Sequence, residues 1–589
     1  MKNLIILIFL LVATARLGAQ ELPPVFDKDD KKNIYTYPLK KVYISPKKIL
    51  WKSDDSGKFI INVEALLNQK NNQLSVNDYD LLQFNSSADH KPAILLDYGK
   101  EIHGGVKISM GIRENKSPVK LRLRFGESVG EAMSDIGEET NATNDHSLRD
   151  FIIEIPWLGS IEVGETGFRF LRIDVIESKE NIPVKSIDAA FVFREIPYLG
   201  SFECNDERLN NIWMTGAYTV HLNMQSYLWD GIKRDRLVWV GDMHPEVMTI
   251  NTVFGKNNIV PKSLDLVKNQ YPLPNWMNGI SSYSMWWILI HKSWYDYHGD
   301  FKYLYGQKDY MLGLLDQLSL YIDENNSEKL DGNLFLDWPT KGNEVAVHAG
   351  LHALMVMTFN AGSKLMVILK EVKLQEKYKL AATKLEQHTP KGNTTKQASA
   401  LLSLAGLENP EKINSEILTK DGVEHMSSFY GYYILEAMAK AKNYTDALNV
   451  IRDYWGAMLD LGATTFWEDF DINNAKNSGR IDELIPENKF DIHGDYGEHC
   501  YIGYRHSLCH GWASGPTPWL TQHILGINVK DGGNTIELEP HLGDLIFAKG
   551  SFPTKFGIFK VNHSKDDNGK TITELDVPKG LKIIQNKDD

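Results

Sequence analysis

A chain of 589 residues is several times the length of a typical domain, so it divides into about two to four domains with large cores and is more than a lone binding module. Its formal charge of -13 at pH 7 repels phosphate backbones and anionic lipid headgroups, which argues against a nucleic-acid partner. The three cysteines, Cys204, Cys500 and Cys509, are too few and too odd in number for a disulfide framework; one bridge is allowed and none is required.

The start, Met1-Lys2-Asn3 followed by the apolar run Leu4 to Ala13 and by Gly18-Ala19, reads as a secretory signal peptide over residues 1–20. It predicts export to the periplasm or the medium. No later stretch approaches the roughly 20 continuous apolar residues of a membrane span, so no membrane insertion is expected. The charged Asp27 to Lys32 reads as an exposed linker.

From about residue 35 the pattern alternates with period two, clearest in Val119 to Phe125 and Phe168 to Val175, and residues 21–200 read as an N-terminal β-sandwich region. Near Ser201 the period changes. Leu209, Ile212, Trp213, Ala217 and Val220 fall at helical spacing, with Asn205 or Asp206 as the cap. Helical patterns recur in Leu351 to Val372 and Tyr430 to Ala441, so residues 201–525 read as a toroid of helix hairpins. After Gly526, short alternating segments such as Thr535 to Glu539 and Gly557 to Val561 predict a small C-terminal β-sandwich over 526–589. The expected fold class is therefore multidomain α and β, in the order β, α, β.

Chemistry concentrates in Trp229-Asp230-Gly231-Ile232-Lys233-Arg234-Asp235-Arg236-Leu237-Val238-Trp239-Val240-Gly241-Asp242. Acids, bases and indoles in one loop suit glycosidic-bond hydrolysis, which needs a carboxylic acid beside aromatic and charged sugar ligands. A cluster of Asp, Lys and Arg alone is more often a solvated loop with surface ion pairs; the Trp and Gly framing points the other way. Aromatic residues make up 11% of the chain, with 14 Trp, and flat rings stack on sugar faces, although large cores use them too.

This segment resembles the active-site motif of the α-L-rhamnosidases of glycoside hydrolase family 78. Asp230, Asp235, Trp239, Gly241 and Asp242 match in register. Gly462-Ala463-Thr464-Thr465-Phe466-Trp467-Glu468 is similar to the segment holding the family's general base, and Ser507-Leu508-Cys509-His510-Gly511-Trp512 to its sugar-pocket His segment, with Cys509 where the family has Asn. Leu96 to Glu101, Thr166 to Phe170, Glu539 to Asp544 and Lys549 to Thr554 resemble the flanking β regions, so the likeness runs from about residue 90 to 575.

The resemblance implies a central (α/α)6 barrel and an exo-acting hydrolase that releases terminal α-L-rhamnose from an oligo- or polysaccharide. It implies inversion, with Asp235 as general acid and Glu468 as general base. Inversion places the two carboxyls about 6.5 to 9.5 Å apart, against about 5 to 5.5 Å for retention. Asp230, Arg234, Asp242 and His510 would bind the sugar, with Trp239, Trp338 and Trp467 as the apolar wall for the 6-deoxy methyl and Trp276 as a weaker candidate. No cofactor and no metal are implied. Asp235 departs from the Glu that many members carry. Its acidic neighbours Asp230 and Asp242 would raise its pKa, and Lys233, Arg234 and Arg236 would lower it. One resolution is that Arg234 pairs with another carboxylate or the sugar.

Glu246 and Glu344 are spare carboxylates, more simply structural. His348 and His352 lack the Glu of a zinc-protease helix, and the group His493, His499, Cys500, His506, Cys509 and His510 has no CxxC spacing, so no zinc is expected. Gly104-Gly105 and Gly532-Gly533 read as turns. The alternatives are another sugar chemistry on the same barrel, a uronidase or a lyase, and a non-catalytic carbohydrate-binding protein.

Overall fold

The computed structural model describes residues 38–68, 79–113, 115–137, 141–177, 181–497 and 500–585. The expected signal peptide at residues 1–20, the expected linker at Asp27 to Lys32 and His499 lie outside them.

Between Lys40 and Phe193 the alternating segments form a nine-stranded antiparallel sheet. Its two longest strands, Ala93–Met110 and Gly159–Glu177, lie side by side, and Val119–Gly126 adds to the far edge of the second. Inward residues such as Ile94, Leu96, Val106, Leu123, Phe125, Phe168 and Ile173 make one apolar core. Gly104 and Gly105 are not a turn. They sit inside Ala93–Met110 at a register shift, where a Cβ on Gly104 would meet Ala190 O at 2.0 Å and one on Gly105 would meet Gly164 O at 2.2 Å. Close approach of neighbouring backbones, and not chain reversal, explains the pair. Gly532-Gly533 does lie in a turn, between Ile527–Lys530 and Thr535–Leu538.

The first helix after the sheet is Glu207–Asn223. Asp206 caps it, accepting from the backbone of Arg208 at 2.9 Å and Leu209 at 3.4 Å, and Arg452 Nε donates to its other oxygen at 2.7 Å. Helices then pack in a closed sequence of contacts. Met243–Val253 touches Ser281–His298, which touches Glu344–Ile368; that helix touches Lys396–Ala405, then come Gly431–Lys440 and Pro516–Trp519, which returns to Met243–Val253. The helix Glu344–Ile368 is long and apolar enough to span a membrane by composition, but 72% of its most apolar window is buried in this core. His348 on it pairs with Glu328 Oε1 at 2.6 Å, and the His352 ring contacts Leu385 O at 3.1 Å.

Ser201–Cys204, placed by the sequence pattern at the start of the helical region, is a strand paired antiparallel with Ala548 to Ser551. The C-terminal strands share the helical core: Phe202, Ile536, Phe552 and Val561 belong to the same cluster as Trp213, Trp286 and Trp455. Asp206 thus caps the first helix and ties its start to Arg452. Asp206→Ala should lower unfolding free energy by about 0.5–2 kcal/mol, read as a fall in the denaturant midpoint without a change in the slope of the transition; an unchanged midpoint would refute the cap.

Candidate active site

Three distant segments meet through their backbones. Gly511 N donates to Asp230 O at 2.9 Å, His510 N to Phe466 O at 2.9 Å, and Glu468 N to Ser507 O at 2.9 Å. Gly231 and His510 also form an isolated antiparallel bridge. The loop 229–242, the segment 462–468 and the segment 507–512 are thereby one hydrogen-bonded unit, which is why side chains over two hundred positions apart face one space.

That space is a cavity of about 340 Å³ lined by Asp230, Asp235, Trp239, Asp242, Trp338, Glu468 and His510, with Tyr283, Phe335, Tyr501 and Trp512 adding aromatic walls. Arg234 stands behind it, buried. Trp467, one of the three expected wall indoles, is elsewhere: it is fully buried and lines a smaller cavity of about 110 Å³ with Asp469 and Phe470. It precedes Glu468 directly, yet the two side chains line different cavities. Trp512 and Tyr501 take the place expected of it. Trp276 is not among the lining residues and packs on Tyr321.

Arg234 joins the two candidate catalytic groups. Its guanidinium donates to both Glu468 oxygens and, through NH1, to Asp235 Oδ1 at 3.3 Å, and it stacks 4.0 Å from the Tyr501 ring centre. Burial pushes the Glu468 carboxyl up, but the Arg234 charge, with help from His510 and the Ser507 N–H at 3.0 Å, outweighs it and holds the group well below the usual carboxylate range. Cys500 Sγ donates to Glu468 Oε1 at 3.1 Å, so this cysteine serves the carboxylate directly.

Asp235 accepts from Trp239 Nε1 at 3.1 Å through Oδ2, and His146 Nδ1 lies 2.9 Å from Oδ1. His146 comes from a loop of the sheet region and was missed by the sequence reading; nothing in Asn144-Asp145-His146 distinguishes it from other polar loops. Arg505 contacts its other ring nitrogen at 3.1 Å. Asp235 and Arg236 both have left-handed backbone, at φ 52° and 53°. Two consecutive non-glycine residues there are strained, and Asp tolerates this region better than most side chains, which supplies a local reason for the shorter acid. Arg236 secures the strained loop by donating to Glu165 O at 3.1 Å and His146 O at 3.0 Å.

Asp230 and Asp242 are buried, and burial pushes both carboxyls up. Asp242 accepts from Tyr283 at 2.8 Å and faces His510 Nε2 at 3.2 Å. Burial lowers the His510 pKa, but the charge of Glu468 and the Asp242 contact reverse this and leave it raised. His510 Nδ1 and Trp338 Nε1 are buried and have no hydrogen-bond partner among the described residues. Gly241 is required beside Asp242, since a Cβ there would lie 2.1 Å from the Tyr283 ring.

The remaining candidates fall outside. Glu246 is fully buried behind Gly511, whose Cβ would come within 1.6 Å of it, and Glu344 is exposed in the first turn of its helix. Cys509 packs with Leu222 and Ile232, so the residue replacing Asn is a core thiol.

Residues 197–397 match the sequence profile of the bacterial alpha-L-rhamnosidase 6 hairpin glycosidase domain. No curated protein matches the chain. Among solved structures it is similar to the GH78 family rhamnosidase of Bacillus sp. GL1, with a TM-score of 0.72 and 20% identity over 87% of this chain and 54% of that one. The α-L-rhamnosidase from Dictyoglumus thermophilum gives 0.67 and 18%, over 92% and 58% of the two chains. The rhamnosidase from Klebsiella oxytoca, solved with rhamnose bound, gives 0.61 and 18%, over 82% and 96%. The chain thus spans little more than half the length of the first two, and at these identities the likeness is one of fold. Residues 197–397 thus resemble the bacterial alpha-L-rhamnosidase 6 hairpin glycosidase domain in sequence, and the chain shares its mixed α and β fold with solved rhamnosidases of family GH78.

Proposed function

We propose that the chain is an exported, exo-acting α-L-rhamnosidase that cleaves terminal α-L-rhamnose from an oligo- or polysaccharide with inversion. The observation that carries the reading is the Arg234 bridge, which sets a carboxylate kept ionised by its partner beside a second carboxyl at one sugar-sized cavity. In this reading a protonated Asp235 gives its proton to the leaving glycosidic oxygen while Glu468 takes one from the water that attacks the anomeric carbon. Asp230, Asp242 and His510 bind the sugar hydroxyls, and Trp239, Trp338 and Tyr501 supply the apolar wall.

The closed sequence of helix contacts from Met243–Val253 round to Pro516–Trp519 supports an (α/α)6 toroid over residues 201–525, between β-sandwich regions at 21–200 and 526–589. Export rests on the signal-peptide character of residues 1–20. No cofactor enters the scheme.

An aryl α-L-rhamnoside should release its aryl group, and Asp235→Asn and Glu468→Gln should each lower kcat by about 10²–10⁴-fold. NMR of the first product should show the β anomer; the α anomer would sink inversion. A second prediction concerns pH. Glu468 works as a carboxylate and its pKa is lowered in the folded protein, so its activity is lost only as pH falls through a value below the usual ~4.3. Arg234→Met removes the charge that outweighs burial, and the acid limb of kcat/KM should move toward neutral pH. A limb that stays in place would refute the ion pair's role.

A further inference from the structure

Lys233 lies in the motif next to Arg234 yet points away from the cavity. Its ammonium is buried among four oxygens: Tyr504 O at 2.8 Å, His506 O at 2.9 Å, Glu127 Oε2 at 3.1 Å and Glu131 Oε1 at 3.2 Å. Three N–H bonds facing four acceptors leave the cation saturated. Glu127 and Glu131 come from the sheet region, at the short helix Val129–Met133, and both side chains are buried. The backbone N–H of Glu127 donates to Glu131 Oε2 at 2.8 Å, so the cage is braced from within.

Glu127, Glu131 and His493 bring ligand atoms within 4.8 Å of one another, a set able to hold a metal. Here the ammonium lies against both carboxylates, and His493 is engaged elsewhere, with Ser128 Oγ at 2.8 Å and His506 O at 3.1 Å. The cation of this site is the chain's own.

The cage reaches the candidate base in one step. Glu127 Oε2 accepts from Leu508 N at 2.7 Å, the residue before it, Ser507, donates its N–H to Glu468 Oε2 at 3.0 Å, and Ser507 O accepts from Glu468 N at 2.9 Å. Lys233 O also accepts from Ser147 Oγ at 2.9 Å, one residue from His146, which faces Asp235. One buried cation therefore fastens the 233–235 loop, the 504–508 segment and the Glu127–Glu131 turn together.

We propose that Lys233, clamped by Glu127 and Glu131, is a positioning residue for the reaction: it sets Glu468 and Asp235 in register without touching substrate. This rests on the rhamnosidase reading for its assay. A misplacement of about 1 Å at reacting groups costs roughly 10²-fold, and that is the scale expected.

The test is chemical rescue. Lys233→Ala leaves a slot with anionic walls, and its kcat on an aryl α-L-rhamnoside should fall roughly 10²-fold with KM little changed. Propylammonium, which rebuilds the missing amine, should restore most of that loss and raise the variant's melting temperature, while tetramethylammonium does neither and wild type responds to neither. If Lys233→Ala does not fold, the triple variant Lys233→Met, Glu127→Gln, Glu131→Gln neutralises the whole cage; it should fold, remain slow and ignore propylammonium. Wild-type kcat in either folded variant overturns the proposal, as does an amine that restores melting temperature without kcat. Should wild type itself leave the rhamnoside intact, the rhamnosidase reading fails first, and the clamp is read by thiol labelling of Cys500, the Glu468 partner: faster in Lys233→Ala and slowed again by propylammonium if the clamp holds, unchanged if it does not.

Discussion

The ion pair between Arg234 and Glu468 is the interaction on which the candidate site depends. Two buried charges are costly unless each is fully paired, and removing one partner leaves the other uncompensated. Here the cost is met by geometry. Glu468 accepts from the guanidinium, the Ser507 N–H and the Cys500 thiol, and the guanidinium rests on Tyr501 and reaches Asp235. The same pairing keeps Glu468 ionised and places it near a second carboxyl, so a single interaction sets both charge state and position.

A pair of this kind works only if its two halves are delivered accurately, and they come from segments 234 positions apart. The sheet region contributes more than a cover. It sends His146 to Asp235, Arg169 to Gly462 O at 3.0 Å at the start of the base segment, and Glu127 to Leu508 N. Strain at Asp235 and Arg236 is held by bonds to His146 O and Glu165 O, again from the sheet. Local distortion at a functional loop is tolerated because rigid neighbours over-determine it.

Much of this was legible in the sequence because it is written locally. Period-two and period-3.6 patterns located the strand Val119–Gly126 and the helix Glu207–Asn223, and narrowed its cap to Asn205 or Asp206, of which the structure shows Asp206. The motif residues Asp230, Asp235, Trp239, Asp242, Trp338, Glu468 and His510 do meet at one cavity. What escaped is non-local or depends on facing. His146, Tyr283 and Tyr501 reach the site by tertiary packing that no spacing encodes. Trp467 faces a different cavity from its neighbour Glu468, which adjacency in sequence does not reveal, and Gly104-Gly105 escaped because close backbone approach and chain reversal ask for the same residue. Lys233 was read as a charge on Asp235 and instead faces Glu127 and Glu131.

If Asp235 and Glu468, coupled through Arg234, flank the bond to be broken, bound L-rhamnose lies between them. A crystal structure of the protein with L-rhamnose bound tests it most directly. The expected result is the anomeric carbon between these two groups, His510 and Trp338 on the ring, and carboxyls about 6.5–9.5 Å apart. Rhamnose bound away from Arg234, or carboxyls at about 5–5.5 Å, would contradict it.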